Sequence, residues 1–327
     1  ATRRAKEAAR AEIEAAEENR RAVYISVAAE MARSYFDLRA LQHRLAIARS
    51  NTATVENSLQ LVQARFDAGL TSELDVRRAE AQLANTRALI PALEYGIEQA
   101  IHRMSILCAE IPGALREELI TTEELPDAPP EVLVGIPSEL LRRRPDIRRD
   151  ERLLAAATAR IGVATADLFP KFMLTGSLMG SASDFSGLSL GANRIWSIGP
   201  AIRWPVFDAG RIRANIDIQN ARQEQALLSY EKTVIQSFAE VENALVLYAQ
   251  EQNRFEELGK SVEAGEKALA IANDLYAQGL VSYLEVLDAE RTLFTARDQR
   301  LQSQVSVLTS LVSLYKALGG GWEESTV

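Results

Sequence analysis

The sequence predicts a mainly α fold with a small β part, organised around long α-helical hairpins, and three observations predict it. First, Ala68–Val76 (AGLTSELDV) and Gln278–Val286 (QGLVSYLEV) nearly repeat each other 210 positions apart (279 − 69 = 210). The match continues without a gap through Glu30/Glu240, Arg44/Arg254, Glu56/Glu266, Leu59/Leu269, Phe66/Tyr276, Ala79/Ala289, Glu80/Glu290, Leu83/Leu293 and Arg87/Arg297, which marks a duplicated hairpin. Second, residues 1–67 hold neither proline nor glycine. Third, after Phe169-Pro170 the apolar period changes from 3.6 to 2.

In the opening stretch Val23, Val27, Met31, Ala32, Tyr35, Leu38, Leu41 and Leu45 recur at helical spacing. A continuous helix of that length would run about 100 Å. Gly69 ends it, because glycine accepts the left-handed conformation of a helix C-terminus, and Thr71 or Ser72 can cap the return helix, which runs to Cys108. From Pro112 to Pro145 the periodicity fails and Pro126, Pro129, Pro130 and Pro137 gather, so the segment reads as irregular with one short helix around Ser138 to Arg143. Pro145, at a first-turn position, opens a helix through Leu153, Ala157 and Ile161 to about Asp167. Together with the 72–108 helix it would roughly match the first helix in length.

Residues 171–181 and 194–206 read as two strands around the loop Ser181–Gly187. In the second strand Trp196, Ile198, Pro200, Ile202, Trp204 and Val206 share one face, and Ser197, Gly199, Ala201, Arg203 and Pro205 the other. Asp208-Ala209-Gly210-Arg211 begins the second copy, with a helix to Gln278, a return helix from Ser282 to Leu318, and Gly319-Gly320-Gly321-Trp322 as its stop. The expected organisation is therefore 1–110 first hairpin, 111–145 irregular segment, 146–169 short helix, 170–206 strand pair, 207–318 second hairpin and 319–327 tail.

Composition narrows the function. A formal net charge of −8 and a pI near 5.2 disfavour nucleic acid, which needs a net basic face. The basic run Arg142-Arg143-Arg144 with Arg148, Arg149 and Arg152 is diluted by Asp146, Asp150 and Glu151, and reads as structural or solvated. Cys108, the single cysteine, reads as a small buried apolar residue. No window approaches the roughly 20 apolar residues of a membrane-spanning helix, and residues 1–20 form a charged helix rather than a signal peptide.

The strand pair admits two readings. It could be a hairpin packed on a soluble core, or a pair of membrane β-barrel strands, which need about 9–11 residues, an apolar outer face, a small or polar inner face and aromatics near the interfaces. Two strands alone make a marginal sheet, so strands from other subunits or from a missing part of this chain must complete it. The duplication adds that a strand pair is expected ahead of Ala1, so the sequence reads as truncated at its start.

These residues resemble the outer membrane factor family, the TolC-like and OprM-like channels of tripartite efflux and secretion systems. The most specific elements are Ile136-Pro137-Ser138-Glu139-Leu140-Leu141-Arg142-Arg143-Arg144-Pro145-Asp146-Ile147-Arg148, similar to the family's LP-S-x-L-L-x-x-R-P-D-I run, with Ile161–Pro170 leading into Leu174-Thr175-Gly176-Ser177, Trp204–Arg211, and both Gly-Leu-x-Ser-x-Leu turns. Their order resembles the multidrug, NodT-type branch, whose members are often lipoproteins. The resemblance implies a homotrimer in the outer membrane of a Gram-negative cell, extending into the periplasm. Its long hairpins would form a trimeric α-barrel and its strands a shared transmembrane β-barrel of 12 strands. It also implies a periplasmic adaptor, an inner-membrane transporter of RND type and outer membrane lipid as partners, with no cofactor and no metal.

Carried over by position, the resemblance makes Leu284, Glu285 and Asp288 the periplasmic gate, where threefold carboxylate rings would attract cations and respond to pH. Glu285 and Asp288 also suit a helix N-terminus on macrodipole grounds alone. The adaptor would dock at Gly69, Leu70, Thr71 and Ser72 and at Gly279, Leu280, Val281 and Ser282, positions that ordinary helix capping also explains. Trp196, Ile198, Ile202 and Trp204 would face lipid.

Three rivals remain at this level. No Ser/His/Asp set or phosphate loop supports an enzyme; His43 and His102 lie on separate helices, and Glu30, Glu56 and Glu80 read as solvated faces or inter-helix salt-bridge partners. A type I secretion duct shares the same architecture. The last is a soluble structural coiled coil or a periplasmic adaptor; an adaptor would place a single hairpin inside a lipoyl-like and β-barrel domain sequence, whereas here there are two hairpins and a lipid-type strand face with tryptophans.

Overall fold

The computed structural model describes residues 1–130, 143–180 and 194–320. The elements are α1 (Thr2–Asp67), α2 (Glu73–Leu107), α3 (Arg116–Leu119), α4 (Pro145–Ala166), β1 (Lys171–Gly180), β2 (Arg194–Arg203), α5 (Arg211–Ala277) and α6 (Tyr283–Ala317). Both duplicated hairpins are present, α1–α2 and α5–α6, and the fold is mostly helical with a small antiparallel sheet. Among the described residues no helix is long and apolar enough to cross a membrane.

The two connections repeat in atomic detail. Gly69 lies at φ +73° and Gly279 at φ +78°, in the left-handed region that favours glycine. The Leu70 N–H donates to the Arg65 carbonyl and the Gly69 N–H to Phe66, both at 2.8 Å. In the second copy Leu280 donates to Leu275 and Gly279 to Tyr276, both at 2.9 Å. Each is a Schellman closure that satisfies two of the helix's last carbonyls. The hydroxyls do not cap α2 as expected: Ser72 occupies the N-cap position but makes no side-chain cap. Thr71 Oγ1 and Ser72 Oγ instead donate to Asp75 Oδ2, at 2.7 and 3.1 Å, charge-assisted bonds that turn both hydroxyls toward the carboxylate.

Contacts divide the chain into two compact units, Ala1–Arg21 with Pro145–Gln236, and Ala22–Arg144 with Ser237–Val327. In the first unit, α1 meets α4 through buried alanines: Ala8, Ala11 and Ala15 on α1, and Ala156, Ala157, Ala159 and Ala164 on α4. Ion pairs flank them, Arg148–Glu18 at 2.9 Å, Arg152–Glu14 at 3.4 Å and Arg160 with Glu12. Buried Asp150 pairs with Arg149 and accepts from Thr233 Oγ1 at 2.6 Å. The basic run is therefore structural where it is described.

The sheet is a two-stranded antiparallel ribbon with Lys171 opposite Arg203, Gly176 opposite Ile198 and Leu178 opposite Trp196. One face collects Phe172, Leu174, Leu178, Trp196, Ile198 and Ile202, all exposed. The opposite face is smaller and more polar: Thr175 Oγ1 donates to the Gly199 carbonyl, and Ser177 Oγ lies 2.9 Å from Ser197 Oγ. β2 stops at Arg203, short of the expected 206, because Pro205 has no N–H to offer a ladder. Trp204 is thus outside the strand, and its indole N–H donates to the Leu168 carbonyl at 3.1 Å. The Ser181–Gly187 loop lies outside the described residues.

In the second unit the middle of the first hairpin encloses Leu38, Ile97, Ile101, Met104 and Leu119, and the second hairpin encloses Val241, Ala244, Leu314 and Ala317. The irregular segment is strapped to the first hairpin by fully buried Arg39. Its guanidinium donates to the Thr121 carbonyl, pairs with Glu123 Oε2 at 3.1 Å and stacks 4.7 Å from the Tyr35 ring centroid. His43 Nε2 lies 3.0 Å from the Glu123 carbonyl, while His102 is exposed. Arg144, of the proline-motif run, donates to the Ala317 carbonyl at 2.9 Å and pairs with Glu240 at 2.7 Å, closing the end of α6. The rest of that motif through Arg142, the helix expected there, and Gly321-Trp322 lie outside the described residues. Cys108 corrects a sequence expectation: it is the C-cap of α2 and exposed, because the helix ends beneath it and Ala109 turns away at φ +60°.

Glu30 and Glu56 form inter-helix ion pairs with Arg103 and Arg87, and Glu80 pairs with Arg77 at 3.0 Å. The Glu56–Arg87 pair recurs 210 positions on as Glu266–Arg297, at 2.6 Å.

Candidate functional site

Within the second unit the ends of the two hairpins lie side by side. Val62 of α1, Val76 and Ala79 of α2, Tyr276 of α5, and Tyr283, Val286 and Leu287 of α6 form one buried cluster. Both duplicated turns therefore project at the same end. Leu70 and Leu280 are each 66% exposed, and their flanking residues are exposed or half-buried. Exposed leucines on glycine-shaped turns leave apolar surface and open backbone for a partner.

The first turns of α6 have two faces. Tyr283, Val286, Leu287 and Glu290 point into the cluster, whereas Leu284, Glu285 and Asp288 are exposed on the other side. Glu285 and Asp288, one turn apart on one face, border an open groove of about 770 Å³ on the second hairpin. Its other walls include Ala268, Ile271, Ala272 and Leu275 of α5, the turn residues Leu280–Ser282, and Thr292 of α6. Leu284 stands outside it.

The duplication gives this groove a counterpart on the first hairpin, reached by subtracting 210. There the positions are filled. Ser58, matching Ala268, donates to Glu290 Oε1 at 2.6 Å; Gln82, matching Thr292, accepts from Arg291 Nε at 2.9 Å; Arg65, matching Leu275, donates to the Ala277 carbonyl at 3.0 Å and covers the Tyr276 ring at 4.8 Å. The second hairpin thus sits in the first hairpin's groove, while its own is open.

Sequence reasoning missed the residues on the buried side of α6, opposite Glu285 and Asp288. Glu290 is fully buried (0% exposed), and burial pushes its carboxyl above the usual range. Its Oε2 and the hydroxyls of Tyr276 and Tyr283 find no partner among the described residues. Tyr283 is raised by burial and then by the neighbouring Glu290 charge. The two tyrosine rings are 5.7 Å apart. The only available signal was that Glu290 repeats Glu80, and Glu80 is exposed and ion-paired. Among the described residues no cluster of His, Cys, Asp and Glu could hold a metal.

Comparison with known proteins gives this architecture a family. The model of the outer membrane efflux protein family matches residues 1–107 and 136–320. The cation efflux system protein CusC of Escherichia coli O6:H1 is 33% identical over 318 residues, which is 97% of this chain and 69% of that protein. The probable outer membrane lipoprotein SilC of Salmonella typhimurium is 34% identical over 95% of this chain and 67% of its own length. Among solved structures the outer-membrane channel OprN superposes with a TM-score of 0.89 at 41% identity, covering 98% of this chain and 72% of that one. The chain spans about two thirds of these relatives, whose names are those of efflux and outer-membrane channel proteins rather than enzymes. A duplicated hairpin with paired Schellman turns, a strand ribbon with one apolar face, and these matches together make the chain an outer membrane protein of the outer membrane efflux protein family.

Proposed function

We propose that the chain is the exit duct of a tripartite efflux pump, a homotrimer that passively conducts drugs or other small molecules from the periplasm to the exterior. One observation carries this reading. The groove covered on the first hairpin is open on the second, and the surface able to fill it is another copy's first hairpin, bearing Glu73, Arg77 and Glu80 where the filled groove receives Tyr283, Leu287 and Glu290. A repeat that covers its neighbour and leaves its own face open is satisfied by closing into a ring.

In that ring both turns of every copy gather at the periplasmic mouth. Gly69–Ser72 and Gly279–Ser282 receive the adaptor, which couples the duct to an inner-membrane transporter that supplies the energy and selects the cargo. Leu284, Glu285 and Asp288 form the gate, and three copies of two carboxylates select for cations. On the strand ribbon Trp196, Ile198 and Ile202 contact lipid, with Trp204 just past the strand end. The polar line through Thr175, Ser177 and Ser197 suits the water-filled side of a barrel.

The test is direct. The full-length protein should fractionate with outer membranes, run as a detergent-stable trimer and conduct ions in planar bilayers; a soluble monomer without conductance would refute the duct.

A further inference from the structure

Glu290 has no ordinary structural explanation. It sits at 0% exposure on the seam between the two hairpins, its Oε1 2.6 Å from Ser58 Oγ and its Oε2 unpartnered among the described residues. A buried carboxylate bonded to one neutral hydroxyl, with no cation in hydrogen-bond contact, is poorly served as an anion. Its neighbour Tyr283 also faces Tyr276 on α5, Arg291 on α6 and Asp75 on α2; Arg291 is bonded to Gln82 on α2, and Arg65 on α1 covers the Tyr276 ring. Both cations are occupied elsewhere: Arg291 with Gln82, and Arg65 with the Ala277 carbonyl and the Tyr276 ring. The duplicate position is the internal control, since Glu80 is exposed and ion-paired with Arg77.

We propose that Glu290 is the positioning residue of the mouth: as a neutral acid on Ser58 it holds the gate-bearing start of α6 against the first hairpin, and loss of its proton parts the two. The proposal rests on the reading of Glu285 and Asp288 as the gate. Those two face the groove, one turn away on the opposite side of the same helix, so displacing Glu290 displaces them. The direction with pH follows from burial. The acid ionises less readily in the seam than in water, so the closed seam is favoured on the acid side and loses that advantage as the pH rises through the seam value. Only the seam within a subunit carries this device, because the open groove would meet Glu80 beside Ala268.

The test reads the seam and the channel separately. Spin labels at Leu70→Cys and Leu280→Cys, with Cys108→Ser, report the separation of the two turns in the full-length protein, and planar bilayers report conductance, each between about pH 5 and pH 9. The turns should separate and conductance rise with pH, the opening equilibrium changing by up to about tenfold per pH unit. Glu290→Gln, which keeps the shape and a hydrogen-bonding group, should abolish both responses and hold the closed distance. Ser58→Ala, which removes a hydroxyl that donates to the carboxylate and favours its ionised form, should move the response to higher pH. A wild-type distance that stays fixed, or a Glu290→Gln protein that responds as the wild type does, overturns the proposal. If the distance responds while conductance does not, the clamp stands and the gate assignment falls.

Discussion

Gln42 and Gln252, 210 positions apart (252 − 42 = 210), perform the same task on different stretches of one segment. Gln42 Nε2 donates to the Leu119 carbonyl at 2.8 Å, and Gln252 Nε2 to the Pro129 carbonyl at 3.1 Å. Each copy of the repeat thus presents the same amide to the irregular segment, which crosses the first hairpin and then the second. Arg39 adds buried anchorage on the first crossing, and Tyr248, whose hydroxyl donates to Pro129, on the second.

The strap's two crossings differ in burial, so their removal should differ in cost. Arg39→Ala leaves the Thr121 carbonyl without its donor and removes the ion-pair partner of Glu123, and should destabilise by about 2–3 kcal/mol. Gln252→Ala, at a wetter site, should cost about 0.5–1 kcal/mol. Thermal unfolding checks the ranking, and limited proteolysis within 116–130 should accelerate in Arg39→Ala first.

If the proposed gate is right, Asp288→Ala combined with Glu285→Ala should raise single-channel conductance and weaken cation preference, since both carboxylates are exposed on the groove face. Conductance and reversal potential in asymmetric salt give the two readouts. Unchanged values would remove these residues from the gate.

The turn glycines separate backbone strain from crowding. A Cβ on Gly69 meets nothing within 4 Å, and one on Gly279 only the Arg65 guanidinium at 3.6 Å. Gly69→Ala and Gly279→Ala should therefore each cost about 1–2 kcal/mol through left-handed φ alone. Asn at either position should recover part of the loss in thermal denaturation.

On the ribbon, neighbouring residues of β2 should behave as opposites. Ile198→Arg puts a charge on the apolar face and should cost about 2–4 kcal/mol of membrane stability. Ser197→Arg, on the polar face, should assemble and change ion preference instead. Heat-resistant trimer on gels and reversal potentials distinguish them; equal tolerance of both changes would end the lipid-face assignment.

What the sequence revealed followed the strength of its local signals. Gly69 and Gly279 announced the turns because glycine takes that φ at least cost, and Pro145 announced α4 because its ring fits a first turn. The strand pair was readable from period 2, but its end was not, since Pro205 acts by an absent N–H that alternation does not record. Hydroxyls at Thr71 and Ser72 suggested caps; the carboxylate three residues on took them. Cys108 read as buried from apolar neighbours, whereas its exposure follows from where the helix happens to stop. Glu290 was invisible because its twin, Glu80, is an ordinary solvated acid, and only three-dimensional packing separates them.

The ribbon described here has a cost before any channel exists. Among the described residues its two strands pair only with each other, and both outer margins leave backbone donors and acceptors outside the ladder, beside an apolar face that holds Phe172, Leu174 and Trp196. In water such a segment invites sticking to any passing strand. A ribbon of this kind reaches a stable state only when further strands cover its margins and its apolar face leaves water.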